Sequence, residues 1–316
     1  MKYASIKVVF MFIVLFSFLP FTCGQSDDSD VTFIALGHVY GDYDALNLSI
    51  PLIEKENPDF VIFLGDSLAA PDNSWDELKS FVDKISSPVY FVPGNHDVYV
   101  NGTRGNYLEK MSEDLYYNFS VGGIDFVSLN TVTDDIALYD LSYEQVGFME
   151  SIYEGSANKK IIFMHHCLFY NYDNQFCNSR PFIDNNNWNN IIPAIKENTI
   201  AVFVGDVGVN EPYFGYEEDS VSYFGVGFSG KESQLKIPQH FLKVIIHEDG
   251  LTVTPIPIRQ DLTKIKYFQR MDKKFTVLAK SFIKKNLAIV LKTFSIAIAL
   301  LLLMVFFLSF KVLKNR

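Results

Sequence analysis

"VYFVPGNHDVY" (residues 89–99) decides how the rest of this chain is read. Val89 to Val92 is an apolar run of strand type, and Pro93-Gly94 breaks it. Asn95, His96 and Asp97 follow, three side chains that can hold a cation or move a proton. A buried strand that surfaces into such a triplet marks a site only if other strands bring comparable groups to the same place. Four other runs end in the same manner, in His38-Val39-Tyr40-Gly41, Gly65-Asp66, His165-His166 and Gly205-Asp206-Val207-Gly208. Of the six histidines, His38, His96, His165 and His166 all stand at these ends. In open α/β sheets ligands collect at the carboxyl edge of the strands. A glycine just before the polar residue lets the backbone turn sharply there.

The remaining chain supports the same layout. "IDFVSLN" and "HFLKVIIHEDGLTVTPI" add strand character, and most of the strand segments are unbroken apolar runs, as in strands covered on both faces. Between them lie helix-like segments. "NSWDELKSFVDKI" offers Ser74 as an N-cap with Glu77 three residues on, "SYEQVGFMESIYE" offers Ser142 with Gln145, and "WNNIIPAIKEN" is a third. Alternation of strands and helices predicts an α/β domain, with more antiparallel character toward its end. No repeat or long Gly/Ser linker interrupts residues 25–258, which read as one domain.

Both ends of the 316-residue chain read as something other than this domain. Residues 1–24 pair Lys2 and Lys7 with an apolar stretch and small residues at Thr22 and Gly24, the pattern of a secretory signal peptide, with an uncleaved anchor as the alternative. Residues 293–310, "TFSIAIALLLLMVFFLSF", carry no charge and suit a bilayer core about 30 Å thick. A lipid-anchor signal also ends in an apolar tail, but "KVLKNR" (residues 311–316) follows this one, which favours a retained helix and a short cytoplasmic tail. The expected product is a single-pass membrane protein with its domain lumenal or extracellular; which membrane holds it is left open. Lysines are denser before the helix than after it, against the positive-inside tendency, which a long translocated domain overrides.

Charge is divided along the chain. Residues 25–258 hold 12 basic and 35 acidic residues, a formal charge near −23. Such a domain repels polyanions, so no nucleic-acid partner is expected. Residues 259–292 are basic, with apolar residues at helical spacing, which suits either a helix lying on anionic headgroups or a plain amphipathic stalk. Of three cysteines, Cys23 leaves with the signal peptide. Cys167 and Cys177 are expected to pair in an oxidising compartment, two free thiols being the alternative. Asn47, Asn101 and Asn118 each open an Asn-x-Ser/Thr glycosylation sequon.

The series Gly65-Asp66, then Gly94-Asn95-His96-Asp97, then a strand into His165-His166 resembles the calcineurin-like metallophosphoesterase family, over about residues 31–257. The resemblance extends to "PDFVIFLGD", "PVYFVPGNHD", "YYNFSVGGIDFVSLN", "LSYEQVGFME" and "KKIIFMHHCLFY". It implies a sandwich of two mixed β-sheets flanked by helices, with two cations about 3.5–4 Å apart at the strand ends. Position by position it carries metal-binding roles onto Asp66, as the bridging carboxylate, and onto Asn95 and His165. His96 would face the substrate and steady or protonate the leaving oxygen, and Asp97 would orient His96.

The chain also departs from that pattern. An Asp-x-His-Gly motif is expected where His38-Val39-Tyr40-Gly41 stands, and Gly-His-x-His where Gly205-Asp206-Val207-Gly208 stands. An aspartate has become His38, a histidine has become Asp206, one ligand is now the phenol of Tyr40, and Gly208 has no side chain. Sorted by metal, Asp66, Asn95, His165 and Asp206 form the stronger candidate set, and His38 with Tyr40 the weaker. Cys167 stands where the family often has proline. One divalent ion (Mn, Zn or Fe) is expected more than two, with no metal as the remaining possibility. His38 beside Asp206 also reads as a plain buried pair, and Asp66 as a helix cap. His166 reads as a structural neighbour of His165, His240 and His247 as strand residues far from the motifs, and Asp42, Asp44 and Asp72 as solvated loop acids. Two functions follow: a membrane-anchored phosphoester hydrolase of reduced activity acting on a small or lipid-linked phosphoester, or an inactive pseudo-phosphoesterase whose ectodomain binds protein or lipid.

Overall fold

A computed structural model of the chain describes residues 30–68, 74–100, 104–133, 139–168, 186–206, 213–218, 220–230 and 239–259. The expected signal peptide, basic segment, membrane helix and tail therefore lie outside the described residues, as do Asp72, Asn101, Cys177 and Gly208. Among the described residues no helix is long and apolar enough to cross a membrane.

Among the described residues eleven strands form two mixed sheets. The first runs in the order β11 (Gly250–Pro257), β10 (His240–His247), β1 (Val31–Leu36), β2 (Phe60–Phe63), β3 (Val89–Phe91). Its strands β1, β2 and β3 are parallel, and β10 runs antiparallel to β1. The second runs β4 (Tyr117–Val121), β5 (Ile124–Ser128), β6 (Lys160–Met164), β7 (Thr199–Val204), β9 (Val221–Val226), β8 (Tyr213–Glu218). Strands β5, β6, β7 and β9 are parallel, with β4 and β8 as antiparallel edges. The α/β sandwich of two mixed sheets flanked by helices is thus the architecture of the domain.

The unbroken apolar runs have a simple cause: each central strand is covered on both faces. Phe33, Phe60, Phe126, Phe163 and Phe203 point between the sheets. The residues that alternate with them, Ile34, Val61 and Phe63, face helices α1 (Tyr43–Glu56) and α2 (Trp75–Val82) outside the first sheet. On the second sheet Val127, Ile162 and Val202 face helices α4 (Tyr143–Gly155) and α5 (Asn186–Asn198), while α3 (Arg104–Lys110) closes the first sheet near β3. Phe33 is the hub of the inner layer. It stacks on Phe60 at 5.1 Å between ring centroids and meets Phe126, Phe163 and Phe203 edge-on at 5.4–5.9 Å.

The cap residues act locally as their positions predict. Ser74 Oγ accepts from the N–H groups of Asp76 and Glu77, and Ser142 Oγ from that of Gln145. Gln145 does not complete a capping box. Its buried side chain instead exchanges two 2.8 Å hydrogen bonds with the backbone of Asn130. Asp42 is no solvated loop acid: it caps α1 by accepting from Ala45 N–H at 2.9 Å, and its other oxygen accepts from Gln239 Nε2. Asp44 lies exposed in the first turn of that helix. Asn47 on α1 and Asn118 on edge strand β4 are exposed. His247 is remote, paired with Asp30 at 2.9 Å. His240 is not, because antiparallel pairing sets the start of β10 beside the end of β1. There Ser229 Oγ accepts from Gly37 N–H and donates to the His240 carbonyl.

Removal of the hub ring should be costly. Phe33→Ala is expected to lower unfolding stability by about 3–5 kcal/mol, with Phe33→Leu losing distinctly less. Urea unfolding monitored by circular dichroism measures both; loss below about 1 kcal/mol for Phe33→Ala would show that the ring is not packed as described.

Candidate metal centre

All five polar strand ends meet at one edge, where the two sheets come closest. A Cβ at Gly205, after β7 of the second sheet, would fall on the carbonyl oxygen of Leu64, after β2 of the first. A Cβ at Gly94 would strike the backbone nitrogen and carboxylate of Asp66. Glycine at these two positions is a requirement of approach, and the approach puts the polar residues in contact. Residues 228–230 stitch the same edge: Ser229 N–H donates to the Gly37 carbonyl at 2.8 Å, and Gly230 N–H to that of His38 at 3.1 Å.

Asp66 is central and 2% exposed. Its Oδ1 lies 3.2 Å from His165 Nε2 and accepts the His96 backbone N–H at 3.0 Å; its Oδ2 lies 3.3 Å from His38 Nε2. Asp206 Oδ1 stands 3.6 Å from the same His38 nitrogen, at the more exposed rim. The backbone here is strained. His38, Tyr40 and Asp66 hold φ of 36°, 57° and 52°, left-handed values that side-chain-bearing residues rarely adopt. Hydrogen bonds between the two loops hold them there, Tyr40 N–H to the Asp66 carbonyl and Gly41 N–H to that of Ser67.

His38, Asp66 and His165 are buried, and one ligand atom from each lies within 4.8 Å of the others. Ligand bonds of about 2.0–2.2 Å place two ligand atoms on one ion about 3–4 Å apart, so these spacings fit a single cation. His165 shows why. Its Nδ1 is 2.7 Å from the Leu64 carbonyl and donates to it, which turns Nε2 toward Asp66. That Nε2 is fully buried and has no hydrogen-bond partner. Among the described residues no other group of three or more His, Cys, Asp or Glu side chains meets in this way.

Titration behaviour follows from the geometry. Burial penalises the Asp66 charge, but His165 and His38 outweigh it and hold the carboxyl well below its usual range. Burial likewise opposes charge on His165, yet the adjacent Asp66 carboxylate, Asp206 and the hydrogen bond to the Leu64 carbonyl raise the ring to about 9. Burial, then Asp66 and Asp206, push the Tyr40 phenol upward, so it stays neutral.

The sequence-derived residues are therefore distributed differently from their expected roles. His38 joins Asp66 and His165 in one cluster rather than forming a weaker site with Tyr40. The Tyr40 hydroxyl, expected as a ligand of the weaker site, meets His96 Nε2 at 2.9 Å. Asp97 does not orient His96. Its two oxygens accept Leu68 N–H and Gly94 N–H at 3.1 and 2.9 Å, bolting the 94–98 turn to the 66–68 loop. Burial first, then Asp66, raise this carboxyl to about 7 against the pull of those two donors. Asn95 Oδ1 is 3.0 Å from His166 Nε2, so His166 belongs to the site, a role that mere adjacency to His165 concealed. Cys167 is disulfide-bonded, and Cys177 lies outside the described residues.

The His38–Asp206 contact joins the two positions that depart from the family pattern. His38→Asp alone sets a second carboxylate against Asp66 beside Asp206, and Asp206→His alone removes an acid from His38. Each is expected to destabilise the fold, with the double exchange recovering about 1–2 kcal/mol of coupling in a double-mutant cycle. Strict additivity in urea denaturation would contradict a direct contact.

Comparison with known proteins agrees with this edge. A family model described as calcineurin-like phosphoesterase matches residues 29–207, more than half of the chain. The curated proteins give no match. Among solved structures, a dimetal phosphatase from Danio rerio has a TM-score of 0.57 at 14% identity, covering 73% of this chain and 97% of that one. Purple acid phosphatase PPD1 from yellow lupin (Lupinus luteus) seeds has a TM-score of 0.55 at 14% identity, covering 73% and 52%. GAP50, the anchor in the inner membrane complex of Plasmodium, has 0.51 at 12%, covering 73% and 85%. Likeness at such identities speaks to fold alone. The family match runs from the start of β1 through Asp206 and so takes in every strand end described above: this chain belongs to the calcineurin-like phosphoesterase family.

Proposed function

We propose that the domain is a metal-dependent phosphoester hydrolase that works with one divalent cation (Mn, Zn or Fe) and turns over slowly. The observation that carries this reading is the buried His165 Nε2, partnerless and 3.2 Å from Asp66 Oδ1, with His38 completing the cluster. Asp66, His165 and His38 would hold the ion, Asp206 would close the set at the rim, and Asn95 would add an amide oxygen. When bound, a cation supplies Lewis-acid polarisation of a phosphoryl oxygen. Asp66 orients both imidazoles and anchors the His96 backbone. His96 stands with its Nε2 on the Tyr40 hydroxyl, from which an incoming leaving-group oxygen would have to take it. Without a second ion to clamp the reacting oxygens, several kcal/mol of electrostatic stabilisation are missing, hence the slow turnover.

The same proposal places the domain outside the cytosol on a single membrane anchor at residues 293–310. A leader-like start, a disulfide at Cys167, and exposed sequon asparagines Asn47 and Asn118 support that placement. A small or lipid-linked phosphoester is the substrate class. A second reading, a non-catalytic ectodomain that binds protein or lipid, is favoured by one observation: Tyr40 and His166 already occupy the polar tips of His96 and Asn95.

Full-length protein in detergent should carry close to one equivalent of Mn, Zn or Fe and hydrolyse aryl phosphate mono- or diesters. Asp66→Ala should lose the metal and at least about a hundredfold in turnover. No metal and no turnover would end the hydrolase reading; turnover that survives Asp66→Ala would assign the activity to a contaminant.

Protons should compete with the cation. With His165 raised to about 9, the metal-free ring is protonated at neutral pH, and binding displaces that proton. Affinity should rise by up to about tenfold per pH unit between about pH 6.5 and the His165 value, with close to one proton released, as calorimetry in buffers of different ionisation enthalpy reads. In the metal-free protein the raised His165 contributes stability present below about pH 6.5 and lost as pH climbs through about 9. Proton-independent binding would contradict this assignment.

A further inference from the structure

Beside the ligand cluster runs an enclosed chain of hydrogen bonds that the family pattern does not assign. Thr131, just beyond β5, and His166, just beyond β6, are 0% and 1% exposed. Thr131 Oγ1 accepts the His166 backbone N–H at 3.1 Å and lies 2.8 Å from His166 Nδ1. His166 Nε2 lies 3.0 Å from Asn95 Oδ1.

Donor and acceptor counting fixes the direction of this chain. An amide oxygen only accepts, so the proton between Asn95 and His166 is on Nε2. A neutral ring then offers Nδ1 as an acceptor, and the Thr131 hydroxyl, whose oxygen already accepts a backbone N–H, donates its proton there. The ring is clamped as well as bonded. Tyr139 lies flat on it, with centroids 3.5 Å apart and planes 13° apart, and His165 meets it edge-on at 4.5 Å. The neutral ring with its proton on Nε2 satisfies all of these contacts in this orientation.

Asn95 has two acceptor lone pairs on its amide oxygen, and His166 uses one. The next residue, His96, is tied through its N–H to Asp66 Oδ1, so Asn95 is held beside the cluster. We propose that His166 is a positioning residue: it fixes and polarises the Asn95 amide oxygen so that the second lone pair serves the cation held by Asp66 and His165. This rests on the one-cation reading above. Partners of this kind behind a ligand are worth about ten- to a hundredfold in metal affinity.

The test is a double-mutant cycle on Mn²⁺ affinity, measured by calorimetry on the full-length protein with wild type, His166→Phe, Asn95→Ala and the double variant. Phenylalanine keeps a ring on Tyr139 and removes the donor to Asn95 together with the acceptor of the Thr131 hydroxyl. The expected result is Kd weakened about ten- to a hundredfold in His166→Phe, with the double variant no weaker than Asn95→Ala alone. Unchanged Kd in His166→Phe, or effects that simply multiply, overturns the inference while leaving the cation site intact. Wild type that binds no Mn²⁺ overturns the inference and the one-cation reading together. Should His166→Phe fail to fold, Thr131→Val keeps the imidazole but removes its tautomer-setting donor. An about three- to tenfold loss confined to variants that retain Asn95 is then expected, and an unchanged Kd overturns the inference.

Discussion

The contact between the Asp66 carboxylate and two buried imidazoles is the constraint on which the rest of this edge depends. Asp66 leaves β2 in a left-handed conformation, and its oxygens reach His165 from the other sheet and His38 from the neighbouring strand. A third bond holds the backbone of His96, and its carbonyl takes Tyr40 N–H. Each bond needs a neighbour to stand aside, which is why Gly94 and Gly205 have no room for a side chain. An isolated buried carboxylate would be strongly disfavoured. Here opposite charge from the histidines makes it tenable, and the strain of three residues with positive φ is retained because the loops over-determine it.

The same cluster explains how the chain tolerates departures from its family's pattern. At positions 38 and 206 an acid and an imidazole have changed places, and the two side chains stand in contact at 3.6 Å. Charge balance therefore survives while ligand geometry changes. At Tyr40, burial and then the surrounding carboxylates keep the phenol neutral. Its hydroxyl on His96 and the His166 imidazole on Asn95 tie these groups into one polar network beside the cluster.

Much of this was legible in the sequence, and the limits are physical. Strands covered on both faces announce themselves as unbroken apolar runs, and their glycine-led polar ends mark the edge where ligands gather. Ser74 and Ser142 are readable as caps because capping is local. Helix α1 escaped notice because Pro51 sits inside it and its cap, Asp42, looks like any loop acid. The β8–β9 hairpin is Tyr-, Gly- and Glu-rich and resembles loop. Contacts that depend on partners far along the chain are not legible in the sequence. Asp97 is spent on Leu68 and Gly94 rather than on His96, and His166 reaches across 71 residues to Asn95. No local pattern encodes which of two adjacent histidines faces the carboxylate and which faces the amide; the sheet edge decides it.

The central claim is one cation held by Asp66 between His38 and His165. Crystals grown with Mn²⁺ and measured on both sides of the manganese absorption edge test it most directly. A single anomalous peak is expected about 2.0–2.3 Å from the Asp66 carboxylate and from the Nε2 atoms of both histidines. Two peaks about 3.5–4 Å apart, or none at saturating Mn²⁺, would contradict it.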